Sequence, residues 1–325
     1  MLLSLFIPTG NRPKSLKLLL NSLINQSYKN FEILIVGSKE NTDIKKLIGN
    51  YKNILKIHYV HQKTSGLTEA ANMALKQAKG NIFVRTDDDV VTSTTWLANI
   101  NQTFQDKRVG GATGPAIIPK NFLNNRDVLV FIQKIHSMNG TWKLIGTIYL
   151  SLFLEGKPFK VDHWFRSGAF SFGASFKTCL KEPYQEVNNL EPCNYSVRTD
   201  LLKKIGGFDP IYKGVGEYHE GDAAFKIKRL GYKLVFNPKI VVFHHPSRSG
   251  VFSNRAESFS RMENFTIFYL RFLKTINPFD WVKFLLYVSF QWGYYLHSSL
   301  RTRKISYLGA IPGFFSGLLQ YIRYR

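Results

Sequence analysis

The alternation of strand-like and helix-like segments through the first 118 residues is the feature that most restricts the fold of this chain. A connection that contains a helix returns the chain to the same edge of a sheet, so consecutive strands pair in parallel. The pattern therefore predicts an α/β domain with a mostly parallel sheet flanked by helices. The predicted strands are 2–7, 31–36, 54–60, 82–86 and 109–118, and the predicted helices are 13–25, 44–51, 67–79 and 93–104.

Three adjacent carboxylates, Asp87, Asp88 and Asp89, follow the fourth predicted strand. Open α/β sheets bind ligands at the carboxyl ends of their strands. Side chains at i and i+2 of an extended segment point the same way, so Asp87 and Asp89 can share one site while Asp88 points elsewhere. Two carboxylates beside phosphates are typical of Mg²⁺ or Mn²⁺ sites. A solvated acidic turn that caps the next helix is the alternative for the triplet alone.

The balance of charge indicates an anionic partner. The 325 residues include 44 Lys and Arg against 22 Asp and Glu, a formal net charge of +22. Nucleic acid, an anionic membrane surface and phosphate-bearing substrates all fit such a charge. Cys179 and Cys193 are the only cysteines, which excludes a disulfide framework and favours a reducing compartment. The N-terminal segment predicts a first strand rather than a signal peptide, so the catalytic part is expected in the cytoplasm.

The middle of the chain is less regular. Residues 119–190 carry many aromatic side chains, Trp164 among them, and no linker-like composition separates them from the residues after 190. This indicates a functional insertion rather than a separate domain. Beyond it, the pattern predicts helices at 194–205 and around 223–230, and strands near 233–236 and 240–243.

The last 65 residues change in character. Residues 281–300 are rich in Trp, Tyr, Phe and Leu, and residues 305–322 contain no charged side chain. Basic residues lie between and after these segments, which fits helices that lie in or dip into an anionic bilayer surface. Gly309, Pro312 and further glycines weaken the case for a helix that spans a membrane. Ordinary helices packed on the main domain are the remaining alternative.

Four ordered motifs resemble the family 2 glycosyltransferases, which have the Rossmann-like GT-A fold. The motifs are FIPTGNRP, SGLTEAANMALKQAKGNIFVRTDDDV, PCNYSVRTDLLKKIGGFDP and EYHEGDAAFKIKRLGYKLVFNPKIVVFHH, and the resemblance covers residues 1 to about 246. It implies a nucleotide-sugar-binding half at 1–118 and an acceptor-binding half of the same domain at 119–260. Residues 261–325 would then form a membrane-associated helical segment.

The resemblance also implies the parts of a sugar-transfer site. Negative charge develops on the diphosphate leaving group, and a divalent cation, Mn²⁺ or Mg²⁺, stabilises it. Asp89 would be the metal ligand, Asp87 would contact the metal or the ribose, and a histidine at 244 or 245 would complete the site. Strand alternation directs only one of His244 and His245 toward it. The residues implied in nucleotide-sugar binding are Pro8, Thr9, Asn11, Arg12, Gly66, Asn72, Asp87 and Asp88.

The acceptor hydroxyl must lose a proton as it attacks, and a carboxylate within reach performs that step. Glu217, Glu220 and Asp222 are the candidates, and the family pattern favours Glu220, with Asp222 orienting the base or binding acceptor. N-capping of the following helix is an equal alternative for Asp222. The residues expected to contact the acceptor are Asn194, Arg198 and Trp164.

Two departures from the family pattern bear on the substrates. Gly37 and Ser38 stand where relatives carry acids that contact the base or ribose; Glu40 or Asp43 can substitute, or backbone groups can hold the nucleotide. Pro192 stands where a glycine is common. The donor nucleotide is therefore open.

The leading prediction is an inverting, metal-dependent glycosyltransferase at the cytoplasmic face of the cell membrane. It would add a sugar to a lipid-linked or cell-surface glycan, in polysaccharide biosynthesis or protein glycosylation. A synthase that glycosylates polyprenyl phosphate directly is a close alternative. The other classes are a nucleic-acid-binding protein, disfavoured because the positive residues are dispersed, and a catalytically inactive membrane scaffold.

Overall fold

The computed structural model describes residues 1–10, 12–37, 42–63, 66–123, 139–214, 216–246 and 258–324. The strands are β1 (Leu3–Thr9), β2 (Phe31–Gly37), β3 (Ile57–His61), β4 (Ile82–Thr86), β5 (Val90–Thr92), β6 (Val109–Thr113), β7 (Ala116–Ile117), β8 (Gln185–Glu186), β9 (Asn194–Arg198), β10 (Lys233–Phe236) and β11 (Val242–His244). The helices are α1 (Pro13–Ile24), α2 (Thr42–Gly49), α3 (Leu67–Gln77), α4 (Trp96–Thr103), α5 (Lys120–Leu123), α6 (Gly140–Ile148), α7 (Thr199–Lys204), α8 (His219–Arg229), α9 (Ser258–Phe268), α10 (Pro278–Thr302) and α11 (Ala310–Arg323).

Eight strands form the central sheet, in the order β3-β2-β1-β4-β9-β6-β10-β8. The pairs β1–β2, β1–β4, β2–β3 and β6–β10 are parallel. Strand β9 is antiparallel to both β4 and β6, and β8 is antiparallel to β10. The mostly parallel sheet predicted from the alternation is therefore present, with antiparallel insertions supplied by the second half of the chain.

Helices cover both faces of this sheet. One apolar layer joins α1, α2 and α4 to the sheet through fully buried side chains such as Leu19, Ile44 and Trp96. The other joins α3, α7 and α8 through side chains such as Ala71 and Leu202. Because the central strands are buried on both faces, their apolar runs are continuous rather than alternating.

A second, three-stranded sheet has the order β5-β11-β7. Its strand β11 pairs antiparallel with β5 and places His244 opposite Val90. The acid triplet lies between β4 and β5, so this small sheet brings the histidine-ended strand next to the carboxylates.

One predicted element is wrong in type, and another is divided into two strands. Residues 194–205 were expected to be one helix, but the first five form β9, and only α7 is helical. Tyr195 and Val197 insert between β4 and β6, where both are fully buried, so tertiary pairing overrides local propensity. The predicted strand 109–118 breaks at Gly114 into β6 and β7, which belong to different sheets.

The C-terminal layer, residues 258–324, packs on the main domain through α9, which continues as a π-helical turn at Tyr269–Leu273. Helix α11 sits tightly on α9 at Gly317, where a side chain would press on the Glu263 carbonyl oxygen at 2.7 Å. A Cβ at Gly313 would likewise collide with Phe259. The glycines in this segment therefore serve close helix packing, and α9 runs across the domain boundary predicted at 260/261.

The outer side of this layer is apolar. Of the 24 large apolar side chains that are exposed in the described residues, 14 lie between Ile276 and Tyr324. Among the described residues, one helical stretch, Ile305–Arg323, is long and apolar enough to cross a membrane by length and composition, and 22% of it is buried. It begins as a 3₁₀ turn, Ile305–Gly309, before α11. An apolar groove between α6 and α10 extends the exposed face through Ile148 and Leu286.

Candidate active site

Asp87, Asp88 and Asp89, called the donor edge after their predicted role, lie at the end of the central strand β4. Ligand atoms of Asp87, Asp89 and His244 all lie within 4.8 Å of one another. The His244 Nε2 atom is 3.3 Å from Asp89 Oδ1. Two carboxylates and an imidazole fit a divalent transition metal such as Mn²⁺, because that ion accepts both oxygen and nitrogen ligands. The predicted metal ligands Asp87, Asp89 and His244 are thus brought together.

His245 does not join this cluster. Its ring stacks on Phe122 with centroids 5.0 Å apart and planes at 6°, while its backbone N–H donates to the Asp89 carbonyl oxygen at 2.9 Å. The expectation that only one histidine faces the metal site is met by His244.

Asp88 is fully buried and is held by Thr9, the last residue of β1, and by Arg12, which follows that strand. The Thr9 hydroxyl donates to Asp88 Oδ2 at 2.7 Å, and the Arg12 Nε donates to the same oxygen at 3.2 Å. Arg12 also donates to Asp89 Oδ2 at 2.8 Å. Burial raises the pKa of Asp88 to about 6, against the opposing effect of Arg12. Thr9, Arg12 and Asp88, predicted to bind nucleotide, thus form the support of the metal ligands.

Arg85 is a site residue that the sequence motifs did not supply. It is buried in β4, donates to Asp87 Oδ1 at 2.7 Å, and has its guanidinium carbon 6.0 Å from the ring centroids of Phe6 and Tyr195. Its Nε and one terminal nitrogen have no hydrogen-bond partner within the described part of the chain. A cation in the middle of an apolar strand pattern was the available signal.

Cys193 lies behind the metal cluster. Its sulfur is 3.9 Å from His244 Nδ1, and burial raises the pKa of this thiol well above its ordinary value. A neutral thiol next to Nδ1 leaves Nε2 of His244 directed at Asp89.

A cavity of about 150 Å³, called the acceptor pocket after its predicted role, has the favoured base, Glu220, in its wall. Trp164, predicted to contact the acceptor, lines it with its ring 4.7 Å from Phe170 and 5.5 Å from Tyr218. Besides these four residues, the pocket is lined by Leu67, Arg85, Asn189, Pro192, Gly216 and Glu217. Aromatic faces beside carboxylates suit a sugar ring with its hydroxyl groups.

Polar atoms around this pocket remain available. Arg85 and Asn189 are each 2% exposed, and within the described residues the Asn189 Oδ1 and Trp164 Nε1 atoms have no hydrogen-bond partner. Buried polar groups without partners are rare in folded proteins unless a ligand or water satisfies them. The pocket wall is therefore suited to a polar ligand.

Glu220 is the second residue of helix α8 and is almost fully buried. Burial raises its pKa to about 7, partly offset by Arg85. His219 Nε2 lies 3.7 Å from Glu220, but burial lowers the pKa of His219 to about 3, so the imidazole is neutral and the contact is not an ion pair. A carboxylate that titrates near neutral pH is suited to general-base catalysis.

Asp222 faces away from the pocket. Its carboxylate contacts Lys226 at 2.6 Å and Arg271 at 3.2 Å, and it accepts from the Tyr212 hydroxyl at 3.1 Å. Burial raises its pKa, with Lys226 opposing that rise. These contacts make Asp222 an anchor of α8 rather than a group that reaches the reacting atoms.

Three predicted site residues bond to the framework instead. Asn72 exchanges two hydrogen bonds with the Phe208 backbone, and Asn194 donates to the Pro115 and Ile240 carbonyl oxygens. Arg198 pairs with the first residue of β4, at the opposite end from Asp87, and donates to the Val109 carbonyl oxygen. The placement of Arg198 and Asn194 in the acceptor site is therefore wrong.

Of the remaining predicted nucleotide residues, Pro8 and Gly66 are among the described residues. Pro8 is near the end of β1, and Gly66 precedes α3 with a φ of +144°, a conformation that favours glycine. A Cβ at Gly37 would press on the Tyr59 hydroxyl, so a larger residue there would require the Tyr59 side chain to shift. Asn11, Ser38 and Glu40 lie outside the described residues.

Known proteins resemble the chain in sequence. The family described as Glycosyl transferase family 2 matches residues 4–163. The uncharacterized glycosyltransferase RT0329 of Rickettsia typhi is 30% identical over 278 residues, which cover 85% of this chain and 73% of that protein. The chain belongs to glycosyltransferase family 2. The hyaluronan synthase of Pasteurella multocida is 27% identical over 243 residues, 67% of this glycosyltransferase but 24% of the synthase. The chain thus spans about a quarter of that relative.

Solved structures share the fold of this glycosyltransferase. TarS 1–349 of S. aureus in complex with UDP-GlcNAc has a TM-score of 0.60 at 17% identity and covers 99% of this chain and 81% of its own. The mannosyltransferase PcManGT of Pyrobaculum calidifontis, in complex with GDP-Man and Mn²⁺, has a TM-score of 0.54 at 15% identity, with coverages of 99% and 87%. The predicted GT-A fold and the glycosyltransferase class are confirmed.

Proposed function

We propose that this glycosyltransferase moves a sugar from a nucleotide-diphosphate sugar to a glycan hydroxyl group, with inversion at the anomeric carbon. The observation that carries the proposal is the adjacency of the donor edge and the acceptor pocket. Arg85 contacts Asp87 at the donor edge and also lines the pocket that contains Glu220. A donor held at one can therefore meet an acceptor held at the other.

The donor edge prepares the leaving group. A divalent cation held by Asp87, Asp89 and His244 would neutralise the charge that develops on the diphosphate. Arg12 fixes the Asp89 carboxylate from the other side at 2.8 Å, so its orientation is set before a donor arrives. The imidazole in the ligand set supports Mn²⁺ over Mg²⁺, because Mg²⁺ prefers oxygen ligands.

Glu220 acts on the acceptor. Its carboxylate takes the proton of the attacking hydroxyl as that oxygen bonds to the anomeric carbon. The bond to the diphosphate breaks on the opposite face of the sugar, so the configuration inverts. The raised pKa of Glu220, about 7, matches this step because the base must hold the proton it removes near neutral pH.

The charge of the acceptor pocket favours a neutral hydroxyl acceptor over polyprenyl phosphate. Glu217 and Glu220 both line the pocket, and one terminal nitrogen of Arg85 is paired with Asp87. An acceptor phosphate would meet like charge there. Trp164, Phe170 and Tyr218 instead offer apolar faces to a sugar ring.

We place the reaction at the cytoplasmic face of a membrane, with the outer side of α10 and α11 on the lipid. Residues 276–325 contain six basic side chains and one acid, Asp280, around the exposed apolar residues. Apolar surface flanked by basic residues suits an anionic bilayer. The two described cysteines are unpaired and buried, as expected in a reducing compartment.

Thermal shift with a panel of nucleotide sugars, each with Mn²⁺, Mg²⁺ or EDTA, tests the donor side. A true donor stabilises the folded protein, and its effect should depend on the metal. The donor so identified is then incubated with glycan and polyprenyl phosphate acceptors, and NMR of the product gives the anomeric configuration. Absence of metal-dependent stabilisation by every nucleotide sugar, or retention of configuration, contradicts the proposal.

A further inference from the structure

Resting on the proposed function, we propose that Glu217, held by Arg261, recognises the acceptor. In this view Glu217 accepts hydrogen bonds from hydroxyl groups next to the reacting one. The acceptor class is therefore a pyranoside with a free hydroxyl adjacent to the site of transfer. Helix α9 of the C-terminal layer, which supplies Arg261, becomes part of acceptor specificity.

Glu217 and Glu220 share the acceptor pocket but differ in their partners. Both carboxylate oxygens of Glu217 accept hydrogen bonds from the Arg261 guanidinium. Arg261 Nε donates to Glu217 Oε2 at 2.7 Å, and a terminal nitrogen donates to Oε1. The two side chains are 19% and 12% exposed, so the pair is shielded from water. A bidentate arginine fixes the plane of a carboxylate. Glu217 is therefore held in one orientation as an acceptor of hydrogen bonds, whereas no arginine holds Glu220 in this way among the described residues.

The backbone around Glu217 is fixed from two directions. Gly216 and Tyr218, its neighbours, have φ of +68° and +77°, in the left-handed region. A Cβ at Gly216 would press on the Thr68 hydroxyl oxygen at 2.8 Å, which places this turn directly against α3. The Tyr218 ring stacks on Phe268 of α9 with centroids 5.4 Å apart. The turn that carries Glu217 therefore packs between helix α3 and helix α9 of the C-terminal layer.

Helix α9 is itself firmly placed. The Ser316 hydroxyl donates to Glu263, and Asn264 exchanges hydrogen bonds with the Lys213 backbone, donating to its carbonyl oxygen at 2.9 Å. Arg261 therefore lies on a helix that is fixed both to α11 and to Lys213, which precedes the turn at residues 216–218.

The remaining lone pairs of Glu217 define what it recognises. A carboxylate oxygen accepts more than one hydrogen bond, and Arg261 uses one at each. A site built around such an acceptor rejects analogues that lack the matching hydroxyl far more strongly than it separates sugars by size. Acceptors deoxygenated or methylated next to the reacting hydroxyl are therefore expected to be poor substrates.

The test compares steady-state transfer by E217Q, R261Q, R261K, the double variant E217Q/R261Q and the control R108Q. Arg108 forms an exposed pair with Asp106 that touches neither site. We expect E217Q and R261Q to raise the acceptor KM about tenfold or more, the donor KM to change less than twofold, and the double variant to match the single ones. R261K should recover part of the loss, and R108Q should match the wild type.

Circular dichroism and thermal melts identify variants that fail to fold. Acceptor sugars that lack one hydroxyl group, such as the 3-deoxy or 4-deoxy compounds, provide an independent measurement on the wild-type enzyme. Three outcomes overturn the inference: an unchanged acceptor KM in folded E217Q, equal rises in donor and acceptor KM, or full use of every deoxy acceptor. In each case, transfer by the wild type leaves the proposed function standing. Absence of transfer by the wild type defeats the proposed function instead.

Discussion

At the donor edge, each of Asp87, Asp88 and Asp89 lies within hydrogen-bonding distance of an arginine, whereas Glu220 in the acceptor pocket has no such cation among the described residues. The two regions are neighbours in space and carry the same kind of functional group. They differ in their partners: arginines hold the carboxylates of the donor edge in place, whereas burial without such a partner leaves Glu220 suited to gain and lose a proton.

The two regions also differ in where their residues come from. The donor edge is built from strands β1 and β4 and the short sheet that contains β11. The acceptor pocket combines the turn before α8, the segment around Trp164 and, through Arg261, helix α9. A regular sheet thus fixes the donor edge, whereas irregular segments fix the pocket.

Removal of a metal ligand should give the largest effect. We expect Asp89→Ala to lower the rate of sugar transfer by about 1,000-fold or more, because the cation contributes several kcal/mol to stabilising the leaving group. The melting temperature should change little, since Arg12 keeps its contact with Asp88. Transfer assays and Mn²⁺ titration by calorimetry measure the two losses together.

Asp106→Ala is the matched control, because Asp106 is an exposed aspartate paired with Arg108 away from both regions. It should keep wild-type turnover and Mn²⁺ affinity. If Asp89→Ala retains turnover within tenfold of the wild type, the donor edge is not a metal site and the comparison with Glu220 loses its basis.

Glu220→Gln should give the next largest effect, a fall in turnover of about 100- to 10,000-fold, because the amide cannot accept the proton. In the wild type, turnover should rise with pH and level off above a pKa of about 7, since the carboxylate must be ionised to act as base. Rates measured from pH 5 to 9 check both statements. A flat profile across pH 7 with an active Gln variant removes Glu220 as the base.

Glu220 is also expected to lower the stability of the folded protein as the pH rises. The folded-state pKa of about 7 lies above the usual value of 4.5, so the unfolded chain releases this proton first as pH rises. Glu220 therefore costs stability that grows between pH 4.5 and 7, on the order of 2–3 kcal/mol. Glu220→Gln should lose less stability than the wild type across this window, as denaturant unfolding at both pH values will show.

More of the donor edge than of the acceptor pocket could be predicted from the sequence. Asp87 and Asp89 follow from a strand end and from alternation, because open sheets bind ligands at that edge. A histidine at 244 or 245 was implied by the family resemblance, and the sequence did not decide between the two. Arg85 was within reach as well, as a cation in an otherwise apolar strand. The parallel order of β1 to β4 followed from the same alternation of elements.

The pocket was harder to predict because its contacts join distant segments. Arg261 meets Glu217 across 44 positions, and no local pattern encodes that pairing. Asn194 and Arg198 were placed in the site because their segment resembles the acceptor-facing stretch of the family, and the strand β9 turns their side chains to the framework instead. Tyr218 was missed because its left-handed backbone gives no sequence signal.

The C-terminal layer should add a smaller, interfacial effect. We expect the double variant Phe315→Glu, Leu319→Glu to bind anionic vesicles about tenfold or more weakly, because both side chains are more than half exposed on the outer face of α11 and would carry negative charge to the lipid. Leu18→Glu is the control, since Leu18 is 55% exposed on α1. Vesicle co-sedimentation at low and high salt measures the binding, and equal losses in both variants exclude α11 as the membrane face.

Arg271→Gln should give the smallest effect and separates an anchor from a chemical group in α8. Asp222 is 1% exposed and contacts both Arg271 and Lys226, so loss of one partner leaves the other in place. We expect unfolding to become easier by about 1–2 kcal/mol, less than the usual cost of leaving a buried charge unpaired. Turnover should fall less than tenfold, with the pKa of the pH–rate profile unchanged, because Glu220 and not Asp222 titrates in the reaction. A shifted profile would instead place Asp222 among the groups that exchange the proton, and the contrast between the two regions would then rest on a pair of carboxylates in α8 rather than on one.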